Sequence, residues 1–300
     1  MSKRCLTEPD KDDPLILLYP SFVSTDDAAT LLRMCKEVDS AVHLDVIASG
    51  VPNGRKWTAA EQRLIVDLEA RLGEITGCPP HDEEMPLLLL HERPAAEPKP
   101  AARPRRTTAA ISPSATRFAS GLHVDPNGGM ERRYASALLY LTTPTTGGQT
   151  VFPFGRGIDE ATLAASRKMI KSRCFHTSNS KRTEARTIEV AAADAPTVRT
   201  PPTGAGHATT THGVATRAVA GNLLVFWSRT ADGSIDPRSW HTGEDVPFDA
   251  TDDKWLLRKF KEVPVKTFED EVRLAEFVAR SRRPHLIKED GKVGKKARAS

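Results

Sequence analysis

A histidine and an aspartate lie two positions apart in the stretch GLHVDPNGG, at His123 and Asp125. In an extended segment, side chains at this spacing point to the same side of the backbone. Together they supply two ligands for a divalent metal ion. A second histidine from another strand would complete the 2-His-1-carboxylate triad of non-haem Fe(II) sites, which leaves open positions on the metal. The alternative is an Asx-type turn at DPNGG, in which the polar residues only stabilise the turn and bind no metal.

The third ligand of such a site has to come from the other histidines, since the chain contains nine. His241 stands apart from them, because it ends a strand-and-loop passage that begins with NLLVFWS. Lys254 follows thirteen positions later and opens the apolar run KWLLRKF. A cation behind a metal-bound histidine suits a co-substrate with a second carboxylate. Arg258 lies four positions further on the same face of this strand, so it is an alternative partner for that carboxylate.

The composition argues against several classes of protein. The chain has 300 residues and a formal net charge of +4, which is too mild to indicate nucleic-acid binding. Its charged first residues lack the apolar run of a signal peptide, and LILLY and LLLL are far too short to span a bilayer. The four cysteines have no CxxC spacing, which indicates a reducing compartment. We therefore expect a cytoplasmic or nuclear protein without a membrane segment.

Local patterns predict helices in the first part of the chain and mostly strands after them. One helix begins after Ser24, and a second begins at Thr58 with Glu61 in a capping box and ends at Gly77. A final amphipathic helix has the sequence TFEDEVRLAEFVARS. Short buried strands are predicted at 14–22, 85–92, 133–141, 222–228 and 254–260. This order predicts an α+β fold, with an antiparallel double-sheet barrel of jelly-roll type and helices packed outside it.

Two polar stretches interrupt this pattern. Residues 95–115 are rich in Pro, Ala and Arg and are interpreted as a surface loop. Residues 156–212 are rich in Thr and Arg, and their weak periodicity indicates an insertion with little regular structure.

Several passages, taken in order, carry a family resemblance: HVD, LLYL, GGQTVFP, AGNLLVFWS, DGSIDPRSWHTGEDV and KW. They resemble the catalytic core of prolyl 4-hydroxylases, which are Fe(II)- and 2-oxoglutarate-dependent dioxygenases. The resemblance runs with interruptions from about Pro14 to Phe260 and includes the opening PLILLYPSFVSTDDAATLL. An isolated HxD is weak evidence, whereas the ordered set is specific. It implies a double-stranded β-helix of the cupin-like type with N-terminal supporting helices.

The resemblance also implies roles for individual residues. His123, Asp125 and His241 would bind Fe(II), with no catalytic residue beyond these ligands. Lys254 would hold the C5 carboxylate of 2-oxoglutarate, with Arg258 as the alternative, and Tyr140 and Thr150 would help to bind the same co-substrate. The expected reaction uses O2 and L-ascorbate and hydroxylates a peptidyl residue, most simply proline to 4-hydroxyproline, with release of succinate and CO2.

The implied organisation is a polar tail at 1–13, a catalytic domain at 14–263 with its core at about 117–262, and a C-terminal helix and basic tail at 264–300. The long interval between His123 and His241 and the passage LLLLHERPAA depart from the family pattern, so the substrate stays open. Alternatives are the same chemistry on another side chain, a free amino acid or a nucleobase, and a non-catalytic cupin-like metal-binding scaffold. A further alternative is a nucleic-acid adaptor, but only the scattered basic residues of the chain support this hypothesis.

Overall fold

The computed structural model describes most of the predicted core of the chain. The described residues are 3–7, 14–37, 56–92, 121–127, 129–173, 175–177, 213–244, 246–247, 250 and 252–286. The predicted loop at 95–115, the part of the insertion from 178 to 212 and the basic tail from 287 onward lie outside them.

The strands form antiparallel sheets. In chain order they are β1 (Arg4–Cys5), β2 (Ile16–Tyr19), β3 (Leu88–Glu92), β4 (Leu122–His123), β5 (Arg133–Tyr140), β6 (Thr150–Phe152), β7 (His176–Thr177), β8 (Val214–Thr216), β9 (Leu223–Trp227), β10 (Thr242–Gly243) and β11 (Lys254–Glu262). The largest sheet has the order β1-β2-β9-β5-β11-β3, and smaller sheets have the orders β10-β6-β8 and β4-β7. Every predicted strand therefore has a counterpart in the structure, but the strand predicted to be buried at 85–92 is partly exposed, because β3 lies at the edge of the sheet.

The helices are α1 (Thr25–Glu37), α2 (Ala59–Thr76), α3 (Glu160–Lys171), α4 (Val265–Phe268) and α5 (Glu271–Leu286). The predicted start of α2 is confirmed: the Glu61 backbone N–H donates to Thr58 Oγ1, and the Thr58 backbone N–H donates to the Glu61 carboxylate. Gly77 ends this helix with a left-handed φ of 71°. Capping chemistry written in the sequence thus fixes both ends of the helix.

The large sheet has two differently covered faces because side chains alternate along each strand. One face packs against helices in a cluster that includes Leu17, Leu31, Leu68, Val225 and Phe277. The other face forms a second cluster with the three-stranded sheet, including Ile16, Leu138, Phe152, Val214 and Phe226. The predicted mixture of helices and antiparallel sheets is confirmed, while the double-stranded β-helix remains a prediction.

The interpretation of 156–212 as a segment of little regular structure is wrong for its first part. Helix α3 occupies Glu160–Lys171, and β7 pairs with the β4 strand that carries His123. Met169 and Ile170 pack against a cluster centred on Trp240. The apolar side chains of this short helix are few, and they are buried by Trp240, which is some seventy positions away in the sequence. The periodicity of the segment alone therefore does not predict the helix.

The final amphipathic segment differs in detail from the predicted single helix. It is divided into α4 and α5 because Asp270 starts a new helix, where its carboxylate accepts the backbone N–H groups of Val272 and Arg273 at 3.1 Å each. Among the described residues, we find no helix whose length and apolar content would allow it to span a bilayer.

Candidate metal centre

His123, Asp125 and His241 come together at one end of a cavity between the large sheet and the three-stranded sheet. The Nε2 atoms of His123 and His241 lie 3.6 Å and 3.5 Å from Asp125 Oδ1. The ligand atoms of the three side chains all lie within 4.8 Å of one another. Two imidazole nitrogens and a carboxylate oxygen in this arrangement are the donor set of a 2-His-1-carboxylate site.

Backbone hydrogen bonds hold the two histidines in register. The His123 N–H donates to the His241 carbonyl at 3.1 Å, and the His241 N–H donates to the His123 carbonyl at 2.9 Å. Each ring also has its Nδ1 near a carbonyl two positions earlier, that of Gly121 for His123 at 3.1 Å and that of Ser239 for His241 at 3.0 Å. An Nδ1–H donated to a carbonyl leaves Nε2 as the lone-pair nitrogen, which is the form that binds a metal.

Asp125 is almost fully buried, with 2% of its surface exposed. Ser136 on β5 donates its hydroxyl to Asp125 Oδ2, so the Oδ1 atom remains directed at the histidines. Burial alone would raise the pKa of this carboxyl. The neighbouring His241 and the hydrogen bonds from His123 and Ser136 outweigh burial and lower its pKa well below the usual range. The group is therefore an anion at neutral pH, as a metal ligand requires.

The two histidines differ in their electrostatic surroundings. Burial lowers the pKa of His241 to about 4, and this effect exceeds the opposing attraction of Asp125. Burial also acts against the charged form of His123, but the Asp125 carboxylate, which accepts a hydrogen bond from the protonated ring and attracts its charge, raises its pKa above the usual value. His241 lies against the rings of Phe226 and Phe152, at centroid distances of 4.5 Å and 5.5 Å. The apolar wall explains why the pKa of His241 is the lower of the two.

The cavity beside these side chains has a volume of about 50 Å³. Thr150 from β6 lines it. The Tyr140 hydroxyl lies behind Thr150 at 2.8 Å from Oγ1 and is fully buried. Burial raises the pKa of Tyr140 far above its usual value, so the hydroxyl stays protonated. The predicted co-substrate residues Tyr140 and Thr150 therefore act as one hydrogen-bonded unit, with Thr150 at the cavity surface.

Lys254 and Arg258 both line this cavity from β11. Lys254 is 1% exposed, and its Nζ donates to Glu92 Oε2 at 2.9 Å. Arg258 lies over the Phe260 ring at 4.4 Å, and among the described residues no carboxylate lies within ion-pair distance of its guanidinium. Its Nε is buried without a hydrogen-bond partner in that part of the chain. Burial lowers the pKa of Arg258, while the charge of Asp125 opposes this shift.

A second group of possible metal ligands, Cys78, His81 and Glu84, lies on the helix-covered side of the sheet. The Glu84 carboxylate already accepts from Lys261 Nζ at 2.6 Å, and Lys259 Nζ lies 3.5 Å from it. Two ammonium groups occupy the space that a cation would need. This group is therefore explained as a buried ion-pair network, and it does not resemble a metal site.

Three features of the site were not predicted from the sequence. Ser136, Glu92 and the reciprocal backbone pairing of the two histidines depend on contacts between distant segments. The sequence contains a weak indication for Glu92: it lies two positions after Leu90 at the end of the run LLLLHE, so both side chains point to the same face of the strand. His91, the residue before Glu92, points to the other side of the strand, where it stacks on Trp255 at 3.6 Å and contacts Asp253.

Comparison with known proteins gives structural similarities only. No protein-family model matches the chain, and no curated protein sequence does. The viral collagen prolyl hydroxylase of Paramecium bursaria Chlorella virus-1, in its 2OG complex, is 11% identical over 83% of this chain and 96% of its own, with a TM-score of 0.42. EvdO2 from Micromonospora carbonacea var. aurantiaca, complexed with 2-oxoglutarate, is 12% identical over 85% and 91%, with a TM-score of 0.36. At these TM-scores the similarity carries no functional argument, and what the chain does has to be inferred from its own site.

Proposed function

We propose that this chain is an Fe(II)- and 2-oxoglutarate-dependent dioxygenase that hydroxylates a peptidyl residue, most simply proline to 4-hydroxyproline, with release of succinate and CO2. One observation carries the proposal. A His-Asp-His donor set, with Asp125 and His241 buried and His123 partly exposed, lines a cavity together with two cationic side chains of β11. A metal ligand set on its own would fit many functions. The added cations fit a co-substrate that is both a chelator and a dicarboxylate.

The residues present fit the implied iron. His123, Asp125 and His241 provide two neutral nitrogens and one oxygen, and the histidine Nδ1 atoms and the second Asp125 oxygen already have protein partners. A metal held by these three side chains, which line the cavity, would keep open positions for exchangeable ligands. When bound, the iron would supply the activation of O2 that makes hydroxylation of a C–H bond possible.

The remaining cavity residues would bind and orient 2-oxoglutarate. Lys254 would bind its C5 carboxylate as an ion-pair partner, and the Thr150 hydroxyl, held by Tyr140, would donate a further hydrogen bond to it. Arg258 would hold the same carboxylate if Lys254 does not. Leu90, Leu138, Phe226 and Leu256 line the space between these polar ends and would exclude water from the reacting centre.

The finer assignments follow from the sequence resemblance. They are a double-stranded β-helix core within 14–263, a peptide or protein substrate and L-ascorbate as the reductant that restores iron after uncoupled turnovers. The rival within the same chemistry is a different substrate: another side chain, a free amino acid or a nucleobase. The rival outside it is a metal-binding scaffold without activity.

Anaerobic addition of 2-oxoglutarate to the Fe(II)-loaded protein tests the proposal. We expect the visible charge-transfer band of a chelated 2-oxo acid, and we expect His241→Ala to abolish it. His285→Gln is the matched control, because His285 bonds to the Ile75 carbonyl away from the cavity. A folded, iron-loaded wild-type protein without the band would contradict the dioxygenase assignment and favour the scaffold. A band would justify screening peptides for hydroxylation.

A further inference from the structure

The ammonium of Lys254 already has a carboxylate partner within the chain. Glu92 lies directly opposite Lys254 in the antiparallel pairing of β3 and β11, and its Oε2 accepts from Nζ at 2.9 Å. Both side chains line the cavity of the metal centre. A carboxylate from the chain thus occupies the position that the proposed function gives to the carboxylate of the co-substrate.

The space around this ion pair is small. A Cβ atom added at Gly243 would lie 3.1 Å from Glu92 Oε1, so the carboxylate fills the gap between Lys254 and β10. The enclosed volume of about 50 Å³ beside it corresponds to a few water molecules. A ligand carboxylate can take the place of Glu92 Oε2 at Lys254 Nζ only if the Glu92 side chain moves.

Glu92 is placed so that it can move. It ends β3, the edge strand of the large sheet, and every residue of this strand is partly exposed. The Glu92 side chain is 20% exposed, whereas that of Lys254 is 1% exposed. Rotation of Glu92 toward solvent would return its charge to water, while Lys254 remains fixed in the sheet.

The other buried lysines of β11 show what a purely structural pair looks like. Lys259 pairs with Glu69 at 3.1 Å on the opposite face of the strand, where helix α2 covers the sheet. Neither of these residues lines the cavity. The Glu92–Lys254 pair differs because it faces the space where a ligand would bind.

We propose that Glu92 competes with the co-substrate for Lys254 and so sets the affinity for it: the Glu92 carboxylate closes the cavity at Lys254 and is displaced by the distal carboxylate of the co-substrate. This inference rests on the proposed function. Displacement exchanges the charge-assisted hydrogen bond between Lys254 and Glu92 for one between Lys254 and the ligand. Glu92 therefore makes the free energy of ligand binding less favourable. A ligand without a distal carboxylate cannot form an ion pair with Lys254, so it leaves the Glu92–Lys254 pair intact. Glu92 therefore lowers the affinity for dicarboxylates and leaves the affinity for shorter 2-oxo acids unchanged.

Calorimetric titration of the metal-loaded protein tests this inference. Glu92→Gln keeps the shape of the side chain but makes it a neutral competitor, so we expect the Kd for 2-oxoglutarate to fall roughly tenfold. The Kd for pyruvate, which has no distal carboxylate, should stay unchanged. Glu69→Gln is the matched control, since it removes the carboxylate from a buried lysine pair on the opposite face and should leave both values unchanged.

A thermal measurement adds a readout that does not depend on activity. Glu92→Gln leaves the buried Lys254 without a charged partner, so its Tm without ligand should fall, and 2-oxoglutarate should restore more of it than in the wild type. An unchanged or higher Kd for Glu92→Gln, with normal binding by the wild type, would overturn the inference alone. If neither protein binds 2-oxoglutarate, the proposed function fails and this inference fails with it.

Discussion

His123 and His241 exchange two backbone hydrogen bonds with each other, so each histidine fixes the backbone position of the other. The pairing is an isolated antiparallel bridge between the end of β4 and the residue before β10. Their rings lie 4.4 Å apart, with Asp125 Oδ1 within 3.6 Å of both Nε2 atoms. Backbone pairing thus holds the donor set together, which reduces the ordering that metal binding requires.

Metal loading should therefore stabilise the native state strongly. With free Fe(II) or Co(II) at about one hundred times its Kd, the expected gain is about 2.7 kcal/mol in the free energy of unfolding. Thermal unfolding with and without the metal measures this gain. Asp125→Asn should lose most of it because the anionic ligand is gone. An equal increase of Tm in Asp125→Asn would show that the metal binds elsewhere.

Ser136 should matter for the metal although it would not touch it. Its hydroxyl bonds to Asp125 Oδ2 and directs the other oxygen toward the histidines. We expect Ser136→Ala to weaken metal binding by roughly 10- to 100-fold, as is typical for partners of metal ligands. Ser228→Ala is the control, because Ser228 is equally buried and its hydroxyl lacks a partner among the described residues. Equal metal affinities in both variants would contradict the positioning role.

Substitution of Lys254 and of Arg258 should have different effects on stability and on the affinity for 2-oxoglutarate. Lys254→Met leaves Glu92 without its partner, so we expect a lower Tm together with an increase in the 2-oxoglutarate Kd on the order of 100-fold. Arg258→Met removes a charge that has no ion-pair partner among the described residues, so the Tm should stay the same or rise. Calorimetry and thermal unfolding of both variants measure this. The opposite order of Kd values would make Arg258 the anchor.

Helix α3 should support the metal centre through Trp240. The Trp240 indole N–H donates to Ser166 Oγ at 2.8 Å, and the Ser166 hydroxyl donates to the Pro237 carbonyl at 2.6 Å. Ser166→Ala leaves a buried donor and a buried acceptor unpaired, which should cost about 1–3 kcal/mol of stability in urea unfolding. Ser172→Ala, at the exposed end of the same helix, should change stability by less than about 0.5 kcal/mol. Equal stabilities would show that α3 does not hold Trp240.

The sequence was informative where structure depends on neighbours along the chain. The capping box at Thr58 and Glu61, the left-handed Gly77 and the strands are encoded within a few residues, and the structure has them, although β3 is partly exposed and not buried. The His123–Asp125 spacing belongs to the same kind of signal, and the structure brings this pair together with His241. Their role as iron ligands remains a prediction.

The sequence was uninformative where contacts join distant segments. Nothing local marks Ser136 as the partner of Asp125, or Glu92 as the partner of Lys254, because both contacts arise from pairing between strands. Helix α3 was missed for a related reason, since its apolar side chains meet Trp240 only in the folded chain. Such long-range contacts depend on which residues of neighbouring strands lie opposite each other, and this register is set by the folded sheet.

The separation of the two histidines along the chain also has a kinetic consequence. His241 follows His123 by 118 positions (241 − 123), so their bridge closes a long loop, at an entropic cost of about 4 kcal/mol. Such a contact forms only after more local structure has accumulated. Binding of a metal across the bridge should therefore slow unfolding far more than it accelerates folding. In a chevron plot, only the unfolding limb should move when the metal is added, so the metal centre would govern the lifetime of the native state.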